Sequence, residues 1–267
     1  MDHSLALFAA VAMTAVMGLA ASPARAEVVT RTVEYTHEGT TFKGYLAYDD
    51  AAEGKRPGVL VVHEWYGLDD YAKRRARELA ELGYVALAAD MYGGGKVAAS
   101  REEAARLAGA VRGDAGVMRG RAAAALGALR EQPETDPERL GAIGYCFGGT
   151  VVLELARSGA DLDAAVSFHG GLGTQRPAEK GEVKARVVVF NGAEDPMVPH
   201  EERQAFMKEM TAAGVDWQLV EYGHAVHSFS NPNSDKAGIP GVAYNEKADR
   251  RSWAAMRQVF EEAFGDE

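Results

Sequence analysis

The sequence contains a single cysteine, Cys146, among its 267 residues. One thiol cannot form a disulfide within the chain, so no disulfide framework is expected. Basic residues are outnumbered, with 29 lysines and arginines against 39 aspartates and glutamates and a net charge of −10. Because no basic tract is interleaved with aromatic residues, we expect no nucleic-acid partner. The histidines lie in different segments without ligand spacing, and we expect neither a metal nor another cofactor.

Long apolar runs are confined to the N-terminus. Residues 5–21 are almost uninterrupted Ala, Val, Leu, Met and Phe, and Ala24-Arg25-Ala26 offers a cleavage site. This pattern predicts a secretory signal peptide over residues 1–26, although the first residues lack the usual Lys or Arg. The alternatives are a single N-terminal membrane anchor and a start codon placed too late. We therefore expect residues 27–267 to form one periplasmic or secreted domain without membrane contact after cleavage, and we favour a monomer.

Buried-strand patterns alternate with helical patterns along the rest of the chain. The expected strands cover residues 28–35, 41–48, 58–63, 84–89, 140–143, 164–168, 186–190 and 217–221. Helices are expected at 69–82, 101–130 with a break near 113–116, 151–156, 200–213 and 246–264. Pro133 and Pro137 are expected in the loop before the fifth strand. Such alternation predicts an α/β fold with a mostly parallel, eight-stranded-type sheet covered by helices on both faces.

The fifth strand runs into Gly144-Tyr145-Cys146-Phe147-Gly148-Gly149, which is followed by an apolar helical run. Two glycines flank Cys146 at two residues on either side, which is the spacing of a nucleophile elbow with Cys in place of Ser. The sharp strand-to-helix turn leaves no room for side chains at the flanking positions. The helix N-terminus then favours a thiolate and an oxyanion. An inert, buried cysteine is the alternative interpretation.

An acid and two histidines follow the last two predicted strands. Asp195 lies in Asn191-Gly192-Ala193-Glu194-Asp195-Pro196, and His224 and His227 lie after the next strand. Sites in such sheets form at the carboxyl ends of the strands. The chain order of nucleophile, acid and histidine is that of α/β-hydrolases, in which the histidine moves the proton and the acid orients the imidazole.

These motifs, together with Val61-Val62-His63-Glu64-Trp65-Tyr66-Gly67, resemble those of the dienelactone hydrolase family of α/β-hydrolases. The resemblance runs from about residue 41 to residue 264. It implies an α/β-hydrolase fold with Cys146 as nucleophile, Asp195 as acid and His227 as base. His227 fits better than His224, because only His227 is followed by a small residue and then Phe.

The resemblance also implies roles for residues around this triad. Glu64 matches the family glutamate that contacts the nucleophile, and its charge would keep the resting thiol neutral until substrate arrives. A solvated loop acid is the alternative. The oxyanion donors would be the backbone amides of Phe147 and Trp65. His224 either lines the mouth of the site or is an ordinary turn residue.

The chain departs from the family at its substrate-binding arginines. Family members that act on a carboxylate-bearing lactone have two arginines near the site. One follows the segment that matches Asp90-Met91-Tyr92, and the other follows the segment that matches His227-Ser228-Phe229. Neither is in place here, and Lys96, on a glycine-rich loop, could supply one charge. Tyr92 and Trp65 would contact the acyl or ring portion, or else belong to the core. Residues 230–244 form a longer polar loop that would cover the site.

We therefore expect a hydrolase that cleaves a small-molecule ester or lactone through an acyl-Cys146 intermediate. A thioesterase or broad carboxylesterase on the same triad is the alternative enzyme. A secreted, non-catalytic binding protein on the same scaffold is the alternative outside catalysis.

Overall fold

The computed structural model describes residue 1 and residues 27–265. The predicted signal peptide over residues 1–26 therefore lies outside the described residues, apart from Met1. Among the described residues, eight strands form one sheet in the order β1-β2-β4-β3-β5-β6-β7-β8. They are β1 (Val28–His37), β2 (Thr40–Asp49), β3 (Arg56–Val62), β4 (Val85–Ala89), β5 (Thr135–Tyr145), β6 (Ala164–Phe168), β7 (Arg186–Gly192) and β8 (Trp217–Tyr222).

The six strands β4, β3, β5, β6, β7 and β8, in their spatial order, pair in parallel. The opposite edge of the sheet, formed by β1 and β2, is antiparallel. β1 pairs with β2, and β2 with β4, in antiparallel register. The connection between β1 and β2 is a two-residue turn in which Glu38 and Gly39 both have positive φ angles, 47° and 76°. Two consecutive positive φ angles match the right-handed twist of a hairpin. The predicted hairpin and the mostly parallel sheet are thus confirmed.

In the part of the chain that the structure describes, six α-helices cover the sheet. They are α1 (Asp70–Glu81), α2 (Arg101–Arg112), α3 (Ala115–Arg130), α4 (Phe147–Arg157), α5 (His200–Ala213) and α6 (Glu246–Phe264), and a 3-10 turn spans Ser234–Ala237. Apolar residues of α3, α4 and α5 pack in one core cluster, and those of α1 and α6 pack in another. Buried apolar side chains on both faces explain why the central strands read as continuous apolar runs.

The start of β5 differs from the prediction. Pro137 was expected in a loop, but β5 begins at Thr135 and includes it. The register between β3 and β5 shifts at Pro57 and Gly58, so that Asp136 faces Pro57 and Leu140 faces Gly58. Residues 137–139 are therefore extra in this strand, and an irregularity of that kind accommodates a residue without an amide hydrogen. Within the described residues, no helix is long and apolar enough to span a bilayer.

Candidate active site

Cys146 lies at the turn between β5 and α4 with φ 52° and ψ −112°. A positive φ is strained for a residue with a side chain, and its presence here marks a conformation that the surroundings enforce. A Cβ atom at Gly144 would lie 2.0 Å from the carbonyl oxygen of Gly148. A Cβ atom at Gly148 would lie 2.2 Å from the carbonyl oxygen of Val62. The two glycines are thus required for the tight turn, as the spacing predicts.

The loops after β5, β7 and β8 bring Cys146, Asp195 and His227 together. His227 Nε2 lies 3.0 Å from Cys146 Sγ. On the other side of the ring, His227 Nδ1 lies 2.9 Å from Asp195 Oδ2. Asp195 is also held by the amide of Met197, which donates to Oδ1 at 2.8 Å. The structure therefore places the three residues in the relative positions of a nucleophile, a base and an orienting acid.

The electrostatics of His227 favour its charged form. Burial lowers the pKa of this imidazole, but the adjacent Cys146 and Asp195 raise it, with a net rise from 6.5 to about 10. An imidazolium beside the sulfur stabilises a thiolate, which is the reactive form of cysteine. α4 begins at Phe147 and directs its N-terminus at the same sulfur. Both features favour a nucleophilic Cys146.

Glu64 lines the same cavity, but its hydrogen bonds are not those that the resemblance implied. Ser228 Oγ donates to Glu64 Oε1 at 2.5 Å, and Asn231 Nδ2 donates to Oε2 at 2.5 Å. The hydrogen bond of Cys146 Sγ goes to His227 instead. No hydrogen bond joins Glu64 to the thiol among the described residues. Burial raises the pKa of the Glu64 carboxyl, and the two hydrogen bonds oppose that rise.

The amides of Phe147 and Trp65 are available as donors. Phe147 is the first residue of α4, where the amides have no intrahelical acceptor. Trp65 follows β3 in a loop, and in the described part of the chain neither amide has a hydrogen-bond acceptor. Two free amides at the ends of adjacent strands are the form that an oxyanion site takes in this class of fold.

A cavity of about 740 Å³ opens above the triad. Cys146, His227 and Glu64 line its floor, and Trp65 and Tyr66 contribute aromatic walls. The loop over residues 230–244 contributes seven further lining residues, namely Asn231, Asn233, Ser234, Lys236, Ala237, Ile239 and Val242. This volume is in the range that holds small-molecule ligands. The structure thus places the polar loop over the site, where the sequence predicted it.

Comparison with known proteins identifies the family. The sequence model of the dienelactone hydrolase family matches residues 42–264. The chain belongs to the dienelactone hydrolase family.

Three relatives show the range of similarity. The carboxymethylenebutenolidase of Pseudomonas putida is 28% identical over 208 residues, which cover 74% of this chain and 85% of that protein. A solved structure described as a dienelactone hydrolase-like promiscuous phosphotriesterase from metagenomic libraries is 46% identical. The two structures align with a TM-score of 0.85, and the alignment covers 88% of this chain and 98% of that chain. Dienelactone hydrolase from Anabaena variabilis is 21% identical with a TM-score of 0.59, covers 79% of this chain and 93% of that chain, and supports the fold alone.

Three residues predicted near the substrate do not line the cavity of this dienelactone hydrolase family member. Lys96 is exposed and pairs with Glu103 at 3.9 Å, so it does not replace a family arginine at the cavity wall. The side chain of His224 is 95% exposed and pairs with Glu194, which places it on the outer surface. Tyr92 lies behind the wall, where its hydroxyl donates to the Trp65 carbonyl at 2.8 Å.

Two residues near the site were missed by the sequence analysis. Arg112, the last residue of α2, lines the cavity, and its guanidinium lies 5.3 Å from the centroid of the Phe147 ring. His169 directly follows β6 and contacts the backbone of Cys146. Only the position of His169 after an apolar run could have indicated a role, because strand ends form the sites of this fold. Arg112 carries no comparable signal.

Proposed function

We propose that the protein hydrolyses a carboxylic ester or lactone through an acyl-Cys146 intermediate. The observation that carries the proposal is the line of contacts from Cys146 Sγ to His227 Nε2 at 3.0 Å and from Nδ1 to Asp195 at 2.9 Å. Membership of the dienelactone hydrolase family supports a hydrolase, and a relative named carboxymethylenebutenolidase supports ester bonds as the target.

In the acylation half-reaction, Cys146 Sγ forms a bond to the carbonyl carbon, and the carbonyl electron pair moves onto oxygen. The amides of Phe147 and Trp65 hold this oxyanion. When the carbonyl reforms, the carbon–oxygen ester bond breaks, and the proton on His227 Nε2 passes to the leaving alkoxide. In a lactone the alcohol stays attached to the acyl group.

Deacylation uses the same residues in the opposite sense. His227 Nε2 takes a proton from water, and the hydroxide adds to the acyl carbon. The second tetrahedral intermediate collapses by breaking the carbon–sulfur bond, which returns Cys146 as a thiolate beside the His227 imidazolium. Asp195 holds the imidazole in the tautomer that both half-reactions require.

A hydrolysis screen of lactones, short-chain esters and thioesters tests the proposal. Turnover that disappears in Cys146→Ala supports the acyl-cysteine route, and full turnover in that variant contradicts it. The preferred substrates in the panel separate a lactonase from a broad carboxylesterase or thioesterase. If no substrate turns over and iodoacetamide does not label Cys146, a non-catalytic binding protein is the better interpretation.

Hydrolysis of phosphotriesters is a second candidate activity. A structure 46% identical to this chain is described as a promiscuous phosphotriesterase. The cavity above Cys146, at about 740 Å³, has room for a tetrahedral phosphorus centre with three substituents. Including paraoxon in the same screen tests this candidate, with Cys146→Ala as the control.

We also propose that residues 1–26 direct export and are removed, so that the mature protein begins at Glu27 and works as a monomer outside the cytoplasm. Intact-mass measurement of protein recovered from the periplasm tests the first part. Sedimentation of the same material tests the second.

A further inference from the structure

His169 occupies a strained and fully buried position beside the nucleophile. It follows β6, which lies between β5 and β7, the strands that carry Cys146 and Asp195. Its φ is 42° and its side chain has no exposed surface. Positive φ at a residue with a bulky side chain is uncommon, and such strain clusters where a side chain has a task.

The two ring nitrogens of His169 have different partners, which fix its tautomer. The Cys146 amide is shared between the Phe168 carbonyl at 3.0 Å and His169 Nδ1 at 3.1 Å, so Nδ1 accepts a hydrogen bond and carries no proton. His169 Nε2 lies 2.7 Å from Ser230 Oγ, and a neutral ring with a bare Nδ1 must donate from Nε2. Burial and the neighbouring His227 lower the pKa of His169 well below 6.5, which agrees with a neutral ring.

His169 also contacts the segment that carries the base. Its ring lies edge-on to the ring of His227, with 5.3 Å between centroids, and to that of Phe229 at 5.1 Å. Ser230, whose hydroxyl oxygen accepts the hydrogen bond from His169 Nε2, begins the loop over the cavity. Tyr71 from α1 holds the same Ser230 hydroxyl at 2.8 Å.

Arg75 completes the network from α1. Its guanidinium donates to the Ser230 carbonyl at 2.9 Å and lies 5.3 Å from the centroid of the Tyr71 ring. The imidazole of His169 therefore joins the backbone of Cys146 to the loop over residues 230–244, called the cavity loop below, and through Ser230 to α1.

We propose that His169 is a positioning residue: its neutral Nε2–H tautomer holds the strained amide of Cys146 and fixes the cavity loop to the nucleophile turn through Ser230. The inference rests on the proposed function insofar as Cys146 is the nucleophile. His169 does not line the cavity. It sets the direction of the Cys146 side chain toward His227 and of the Phe147 amide toward the oxyanion.

Three substitutions separate the two hydrogen bonds. His169→Asn places an acceptor near Nδ1 and keeps the Cys146 contact, whereas His169→Gln reaches Ser230 and loses that contact. His169→Phe keeps a ring and loses both bonds. We expect kcat to fall roughly tenfold to a hundredfold in the Gln and Phe variants, because the Cys146 amide loses one of its two acceptors and the nucleophile is then less well positioned. We expect the Asn variant to stay within about threefold of wild type, with KM nearly unchanged throughout.

The rate of Cys146 labelling by iodoacetamide should follow the same order, and it needs no substrate. Absence of ester hydrolysis in the wild type would therefore defeat the proposed function alone, while the labelling order still tests His169. His200→Asn, at an exposed histidine on α5, is the control that should change nothing.

A role in packing alone predicts a different result. The three variants would then lose thermal stability, while kcat and the labelling rate per folded molecule stayed at wild-type values, and that outcome overturns the proposal. If the Phe variant fails to fold, the comparison of Asn with Gln decides. Imidazole ¹⁵N spectra of the wild type provide an independent readout: a bare Nδ1 and a protonated Nε2 at His169 support the proposal, and a protonated Nδ1 refutes it.

Discussion

A Cβ atom at Gly148 would lie 2.2 Å from the carbonyl oxygen of Val62, so the nucleophile turn and the end of β3 are in backbone contact. Gly148→Ala should therefore lower the free energy of unfolding by more than about 4 kcal/mol or prevent folding, because neither backbone can move aside cheaply. Gly127→Ala is the matched control, since a Cβ atom inside α3 meets nothing within 4 Å. It should stabilise the protein by about 0.5–1 kcal/mol. Urea denaturation measures both, and equal effects at the two glycines would contradict the account.

Asp195→Asn should lower the pKa of His227 from about 10, because the lost carboxylate is one of the groups that raise it. The sign follows from charge, since a nearby anion favours the imidazolium and its removal favours the neutral ring. The amide also permits the wrong tautomer, and kcat should fall by about ten-thousand-fold, as such changes do in hydrolase triads. An NMR titration of His227 and steady-state kinetics measure the two effects. A pKa unchanged in the variant would show that Asp195 does not act on the ring.

Glu64→Gln should become more stable relative to wild type as the pH rises. Burial raises the folded-state pKa of Glu64, so its contribution to stability is present below about pH 4.5 and is lost as the pH rises through the folded pKa. A neutral glutamine does not titrate and avoids that loss. Denaturant unfolding of both proteins between about pH 4 and pH 8 measures the difference. Glu201→Gln, at an exposed position, is the control and should show no such trend.

Arg112→Gln should lower kcat/KM for anionic esters more than kcat/KM for neutral esters. Arg112 lines the cavity with its guanidinium over the Phe147 ring, and no carboxylate pairs with it in the described part of the chain, so its charge is available to a substrate. An exposed ion pair contributes up to about 1 kcal/mol, which corresponds to a fall in kcat/KM of about fivefold or less. Matched esters with and without a carboxylate measure the selectivity. If kcat/KM fell equally for both esters, Arg112 would have no role in recognising the substrate's charge.

The sequence predicts the parts of the site that local patterns determine. The paired glycines around Cys146 and the acid and histidine after successive strands indicate which residues meet, because parallel strands end at one edge. The distances at His227 agree with that expectation.

The remaining features depend on packing between distant segments. Glu64 was expected to contact the thiol, but its partners are Ser228 and Asn231, more than 160 positions away along the chain. Lys96 was predicted to lie near the substrate but does not line the cavity, whereas Arg112 at the end of α2 does. Side-chain direction at such positions is set by tertiary contacts that no local pattern encodes.

The most direct test of the acyl-cysteine route is to mix the protein with p-nitrophenyl acetate, quench with acid, and locate the acetyl group by peptide mass spectrometry. The account predicts one acetyl group on the peptide that contains Cys146, and none in Cys146→Ala. It also predicts greater accumulation in Asp195→Asn, because deacylation needs an oriented His227. Continued turnover in Cys146→Ala, or an acetyl group on a different residue during turnover, would contradict it.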